Sequence, residues 1–464
     1  MKNLPKEVDL GKDPVGPLLL KLAAPAIASQ LVNALYNVVD RMYIGHIPET
    51  GAVALTGLGV CFPLIMLISA FANLVGMGGA PRASIMMGHG DEKAAERILG
   101  CCFAALLALS VALTVFSFAF MRPMLMLFGA SEATIGYATD YMEIYAAGTI
   151  FVQLTLGMNV FITAQGFSKI SMMTVVIGAV TNIVLDPIFI FIFDMGVRGA
   201  AWATVISQAI SAVWALRFLC GGRAVLKLRR ANVRLSRAVL APCAALGFAP
   251  FVMQSTESLL VLSFNSSLLK YGGDIAVGAM TIASSVMQFA MLPVQGLTQG
   301  SQPIVSYNYG AGNPERMKRA FVLLLKSCLT CTAVIWTFSM LCPGIFVRIF
   351  TDDPALTEAA RRALRIYMAG MGIFGAQVAC QQTFIALGNS RTSSFLAMLR
   401  KIILLIPFIY IMPHFFDDKV FAVFFAEPVA DVLAVATTVT LFSREFRRLL
   451  ARMRAAKADG NARA

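Results

Sequence analysis

Long apolar runs, separated by short clusters of turn-forming residues, cover this chain from end to end. Twelve runs stand out, at roughly 17–44, 52–80, 96–121, 134–162, 170–193, 200–219, 238–269, 276–305, 319–346, 357–386, 393–415 and 420–442. At a rise of about 1.5 Å per residue, some 20 residues cross the hydrocarbon layer of a bilayer. The breaks between runs carry glycine, proline, asparagine and aspartate: PETG at 48–51, GHGD at 88–91, QGFS at 165–168, YGGD at 271–274, YGAGNP at 309–314, TDDP at 351–354 and LGNS at 387–390. The pattern predicts an all-α polytopic membrane protein with twelve transmembrane helices. A membrane β-barrel would show short alternating segments instead.

Polar positions inside the runs are sparse and ordered. In the first run Gln30, Asn33, Asn37 and Asp40 recur at steps of three, four and three, which places them on one helical face. A carboxylate at the bilayer centre costs roughly 2.5 kcal/mol or more, so such a group marks a functional site by default. The bland alternative sets Asp40 at the helix end, held at the headgroups by Arg41. The fifth run reads TNIVLDPIFIF, with Asn182 and Asp186 four apart and Pro187 predicting a kink beside the acid. Helix-to-helix glue is the alternative use of this pair. Thr204, Ser207 and Gln208 share a face of the sixth run, and the seventh holds Glu257 with Gln254 one turn away. Buried carboxylates with no basic neighbour exchange protons or bind a cation, and this oxygen set suits Na⁺ as well as H⁺. Met253, Met287 and Met291 offer either an adaptable wall for a flat ligand or ordinary packing.

An internal repeat lies at an offset of 222 residues. Gly78, Pro81, Ser84, Gly88, Gly90 and Arg97 recur as Gly300, Pro303, Ser306, Gly310, Gly312 and Arg319, and Ala164, Gly166 and Ser168 as Ala386, Gly388 and Ser390. Six spans per half give both halves one orientation, so the expected architecture is two six-helix bundles related by a pseudo-twofold axis along the membrane normal. The repeat fails at the ion-binding elements: the stretch matching Asn182 and Asp186 reads RKIILLIPFIY, with no acid or amide. Glu257 is then the comparable acid expected in the second half.

Charge adds orientation. Residues 217–237 carry seven Lys or Arg and no acid, and the tail from Arg444 is again basic, with Glu445 and Asp459 as its acids. The resulting division is an N-terminal lobe over 1–222, a basic linker over 223–237, a C-terminal lobe over 238–443 and a basic tail over 444–464. The positive-inside rule puts linker and both termini in the cytoplasm, with the tail either a basic amphipathic helix on the anionic inner leaflet or a plain solvated tail. Charged residues are only 14% of the chain and mean hydropathy is +0.75, so the net charge of +13 reports topology rather than nucleic-acid binding. Residues 1–16 lack the features of a cleavable signal. The nine cysteines are scattered through apolar runs, and His46, His89 and His414 sit near loops, so neither forms a metal or disulfide framework.

VDRMYIGH at 39–46, ALTGLG at 54–59, TNIVLDPIFIF at 181–191, GAAWATVISQ at 199–208 and YNYGAGNPERMKRA at 307–320 resemble the multidrug and toxic compound extrusion (MATE) family, nearest its bacterial MepA-like and DinF-like branch. The resemblance covers nearly the whole chain. It implies a two-lobed antiporter of the bacterial cytoplasmic membrane that exports small organic, often aromatic cations in exchange for H⁺ or Na⁺, with no further cofactor. It places the first-lobe ion site on Asp40, Asn182, Asp186 and Thr204. Helix bending falls on Pro25, and Asn33, Asn159 and Ser207 fall at cavity-lining positions, beside Asn37. Glu257 matches an acid that some members pair with another in the tenth helix, where this chain has Gln377, Gln381 and Gln382. Rival readings are a lipid-linked oligosaccharide flippase or metabolite exporter of the same superfamily, an intramembrane enzyme and a channel. Few Lys or Arg interrupt the runs, against the flippase, and no catalytic motif supports an enzyme. No dimerisation signal is evident, so a monomer is expected.

Overall fold

The computed structural model describes residues 8–463, and side chains for 8–458; the first seven residues of the N-terminal lobe and the last residue of the basic tail lie outside the described residues, as does the side chain of Asp459. The helices are α1 (Val15–Gly45), α2 (Gly51–Gly88), α3 (Glu92–Leu127), α4 (Ile135–Ala147), α5 (Thr149–Ala164), α6 (Ser168–Pro187), α7 (Gly196–Cys220), α8 (Arg237–Gly310), α9 (Pro314–Leu341), α10 (Pro343–Val347), α11 (Pro354–Tyr367), α12 (Met371–Ala386), α13 (Ser390–Met398), α14 (Ile406–Ile411) and α15 (Lys419–Arg463). Wider π-helical turns follow α6 at Ile188–Ile192 and α13 at Leu399–Leu405. Among the described residues, nine helices are long and apolar enough to cross a bilayer, and two pairs bent by 58° and 48°, α4–α5 and α11–α12, bring the crossings to eleven. The 74-residue α8 is broken at Gly273, whose φ of 63° and ψ of −161° no side-chain-bearing residue adopts easily, and its two arms make the twelfth crossing. The fold is all-α with twelve crossings in two bundles, as the apolar pattern predicts.

The repeat is visible in backbone geometry. Gly90 and Gly312 both have positive φ (82° and 66°), as do Gly166 and Gly388 (90° and 75°). Gly90 and Gly388 close the turns that deliver Asp91 to cap α3 and Asn389 to cap α13, through Asp91 Oδ1 accepting from Ala94 N at 2.9 Å and Asn389 Oδ1 from Thr392 N at 3.2 Å. The pseudo-axis passes where α2 meets the end of α8. A Cβ on Gly88 would stand 2.1 Å from the Tyr307 carbonyl oxygen, and one on Gly310 would stand 2.0 Å from that of Ile85. The offset of 222 carries Ile85 to Tyr307 and Gly88 to Gly310, so these are one contact seen twice. Backbones this close exclude a side chain, the usual reason for small residues between membrane helices. Gly310→Leu is therefore expected to cut the folded protein recovered from membranes by roughly fivefold or more. Gly59→Ala, whose added carbon has nothing within 4 Å, should leave it unchanged. Equal recovery of the two variants would disprove a closed crossing at the axis.

The chain ends of each half dock on the other elements in matching ways. Residues 9–13 form a turn gripped by the second half, where Arg316 Nη2 donates to the Asp13 carbonyl at 2.7 Å and Asn308 Nδ2 to that of Leu10 at 2.9 Å. The basic stretch after α7 lies on the first half: Arg229 Nε meets Glu96 Oε2 at 2.8 Å, and Leu226 N donates to Gln165 Oε1 at 2.8 Å. After Arg444 the chain continues α15 without a break.

Candidate cation sites

The first site gathers where α1, α4, α6 and α7 converge. Asp186 lies at the end of α6, next to Pro187, which has no N–H to give. The helix widens into a π-turn immediately afterwards, so the kink expected beside the acid appears as a change of pitch. Asp186 and Asn182 are fully buried, Thr204 is 2% exposed and Asp40 is 7% exposed. Asn182 Nδ2 donates to Asp186 Oδ1 at 3.3 Å and to Thr204 Oγ1 at 3.4 Å, which joins the two helices. Asp40 and Asp186 are close enough for each carboxyl to act directly on the other. Two carboxyls approach that closely only by sharing a proton or holding a cation. Tyr36, one turn before Asp40, and the buried Tyr141 of α4 lie in the neighbourhood of Thr204 and of the two acids.

Three oxygens here are buried without a protein donor: Asp40 Oδ1, Asp186 Oδ2 and Asn182 Oδ1. Buried acceptors are otherwise almost always satisfied. Oxygens from two carboxylates, an amide and hydroxyls suit a proton or Na⁺, and the unmet acceptors lie where either would sit. Arg41 points elsewhere, its guanidinium 5.3 Å from the Phe62 ring centre, so it does not hold Asp40 at a headgroup.

The other nominated residues take separate places. Asn33 and Asn37 are exposed on the adjoining part of α1, and Asn37 Nδ2 donates to the Asn33 carbonyl at 2.7 Å. Gln30 is half-buried on the same helix. Asn159 Nδ2 ties α5 to the Ser171 carbonyl at 3.3 Å and leaves its Oδ1 without a partner. Ser207 is buried and donates to the Thr204 carbonyl at 2.8 Å. Pro25 is buried inside an α1 that runs on through it, and its carbonyl accepts from Ser29 Oγ at 3.0 Å. Gln254 accepts from Asn73 Nδ2 at 2.6 Å, a polar link between α8 and α2. Met287 and Met291 pack against the apolar core of the second half, while Met253 accepts from Gln381 Nε2 through its sulfur at 3.3 Å.

The second half corrects the sequence expectation. Glu257 was expected to be its lone comparable acid and basic residues to be nearly absent from its spans. In the structure Glu427 and Asp431 of α15 are buried, and Arg400 binds both, Nη2 to Glu427 Oε1 at 2.7 Å and Nε to Asp431 Oδ1 at 2.8 Å. The Arg400 guanidinium also stacks 4.4 Å from the Phe374 ring centre. Beside it, Lys401 Nζ donates to Glu257 Oε2 and, at 2.6 Å, to the Met253 carbonyl. The expectation failed because Glu257 has its counter-charge on a different helix, far along the chain. Glu427 and Asp431 repeat the i, i+4 spacing of Asn182 and Asp186 beside a proline, Pro428, and that was the available signal. Among the described residues, no cluster of three or more His, Cys, Asp or Glu side chains is arranged for a metal.

The family model for MatE matches residues 25–188 and 250–411, one match in each half. The chain belongs to the MATE family. It is a membrane transporter rather than an enzyme. Among its relatives, the multidrug export protein MepA of Staphylococcus haemolyticus is 24% identical over 428 residues, covering 92% of this chain and 94% of that protein. The ligand-bound structure of the MATE multidrug transporter DinF-BH is 35% identical and superposes with a TM-score of 0.88, over 97% of this chain and 99% of that one. A MATE crystal structure in the bent conformation reaches a TM-score of 0.91 at 22% identity, over 97% and 100% of the two chains. In each solved structure the likeness spans both halves, so the two-bundle layout is that of the MATE fold.

Proposed function

We propose that this chain is a secondary active exporter of small organic cations, including flat aromatic ones, driven by the inward flow of H⁺ or Na⁺ across a bacterial cytoplasmic membrane. The observation that carries the reading is the neighbouring Asp40–Asp186 pair with three unmet buried oxygens. A cation bound there would draw α1, α6 and α7 into one packing, and its loss would favour another. By linkage, a substrate that prefers the second packing weakens the cation's hold, and the cation weakens the substrate's. Asn182 and Thr204 complete the ion's ligands, with Tyr36 and Tyr141 beside them. Asn33, Asn37, Asn159 and Ser207 are the proposed substrate-facing positions, with Glu257 as the second half's acid and Pro25 as the point where α1 bends. The MepA proteins are multidrug exporters by name and DinF-BH is a multidrug transporter by name, which supports the substrate class.

By the positive-inside rule, the basic residues 217–237 and the basic tail support a cytoplasmic location for both termini. The protein is proposed to act as a monomer in contact with membrane lipid. Arg400 and Lys401 do interrupt a span, contrary to the sequence argument against a flippase. Yet both are matched by carboxylates, three acids against two bases, so the cluster offers no free cation to a pyrophosphate head group.

Uptake of ethidium into everted vesicles tests the reading. One imposed gradient, either pH or Na⁺, is expected to drive saturable transport and the other to have no effect. Flux that follows neither gradient and does not saturate would exclude an antiporter.

A further inference from the structure

The Lys401–Glu257 pair is inverted in burial. The Lys401 side chain is 8% exposed and that of Glu257 is 59% exposed. Ordinarily a long basic side chain carries its charged head to water. Here the ammonium is enclosed, held by the Met253 carbonyl and by one oxygen of Glu257, while the rest of that carboxylate faces open space. Lys401 also borders a pocket with Gln377, Gln381 and Phe374. The π-turn at Leu399–Leu405 lets consecutive residues Arg400 and Lys401 both reach acids on other helices. Arg400 answers to Glu427 and Asp431, two carboxyls to one guanidinium. Lys401 is the counter-ion of the neighbouring Glu257.

We propose that Lys401 is a tethered occupant of a cation-binding carboxylate: it fills on Glu257 the place a transported organic cation would take, and so sets the second half's selectivity. The inference rests on reading the protein as an organic-cation exporter. A monovalent cation arriving at Glu257 meets a carboxylate already neutralised, and binds only as far as it displaces or shares the ammonium. An unpaired carboxylate in that position attracts it directly. Lys401 therefore acts as a positioning and selectivity residue, and Glu257 is the group it regulates.

Equilibrium binding of ethidium to the purified full-length protein in detergent tests this without depending on ion coupling. Lys401→Gln is expected to tighten binding by roughly tenfold, and Lys401→Arg to bind like wild type. Glu257→Gln leaves an unanswered ammonium and is expected to weaken binding by roughly tenfold. The double variant Glu257→Gln/Lys401→Gln should return to within about twofold of wild type, because both charges are gone. Should Lys401→Gln fail to fold, the comparison of Glu257→Gln with the double variant still decides. If wild type binds ethidium but Lys401→Gln binds no tighter, or the double variant is as weak as Glu257→Gln, the tethered-cation proposal is overturned and the exporter reading survives. If neither wild type nor Lys401→Gln binds ethidium, the exporter reading fails and takes this inference with it.

Discussion

Asp186→Asn is expected to abolish gradient-driven transport while leaving the protein folded in the membrane. Asparagine keeps the volume of the side chain and an oxygen able to accept from Asn182 Nδ2, so the tie between α6 and α7 survives. What disappears is the charge, and with it the reason for a proton or Na⁺ to bind opposite Asp40. Coupling free energies between ligand sites are typically 1–3 kcal/mol, roughly 5–150-fold in affinity. A substrate affinity that changes by such a factor between ion-bound and ion-free wild type should become indifferent to Na⁺ and pH in the variant. Asp40→Asn is expected to give the same phenotype, and the double variant should be no worse than either single one, since the two acids form one site. The measurement is ethidium transport in everted vesicles beside ethidium binding to purified protein, with membrane abundance as the control. Wild-type transport in Asp186→Asn would make the pair structural and move the coupling site elsewhere, Glu427 being the next buried carboxylate with an unmet oxygen.

The apolar pattern and the repeat carried the architecture almost completely, because a bilayer constrains helices by length and hydropathy alone. Their boundaries differ where geometry is local: the single tenth run becomes α11 and α12 with a bend, and the seventh and eighth runs join in α8 across Gly273. The first site was legible because Asp40, Asn182 and Asp186 stand out singly in apolar surroundings. Tyr36 and Tyr141 did not stand out, since tyrosine is common near membrane surfaces and in cores, and only their convergence on Thr204 distinguishes them. The second-half network was hidden for a different reason. The repeat directed attention to acids at positions matching Asn182 and Asp186. The charges had moved to Arg400 and Lys401 on one span and to Glu427 and Asp431 on another. The i, i+4 spacing of Glu427 and Asp431 is visible in the sequence, but their pairing with Arg400 across helices is not, and only the fold reveals it.

That network yields the sharpest stability prediction. Removing one partner of a buried ion pair leaves an uncompensated charge and costs about 3–5 kcal/mol. Arg400→Met would strand two carboxylates, Glu427 at 4% and Asp431 at 1% exposure, and would also lose the stack on Phe374. A fall in Tm of about 4 °C is expected in detergent. Glu427→Gln should behave in the opposite way. Glu427 Oε2 has no donor, and Arg400 keeps Asp431 as a one-to-one partner, so removing this charge relieves an excess rather than creating one. Its Tm should stay within about 2 °C of wild type or rise. Asp431→Asn falls between, because Arg400 retains Glu427. The triple variant Arg400→Met/Glu427→Gln/Asp431→Asn should recover most of the loss, as neutral replacements of buried ion clusters generally do. The order of the four melting temperatures is therefore the test. If Glu427→Gln is as damaging as Arg400→Met, the extra carboxylate is bound by something other than Arg400, and a proton or cation resident in the second half would account for it. If the triple variant stays as unstable as Arg400→Met, the loss comes from packing around the guanidinium and Phe374 rather than from charge.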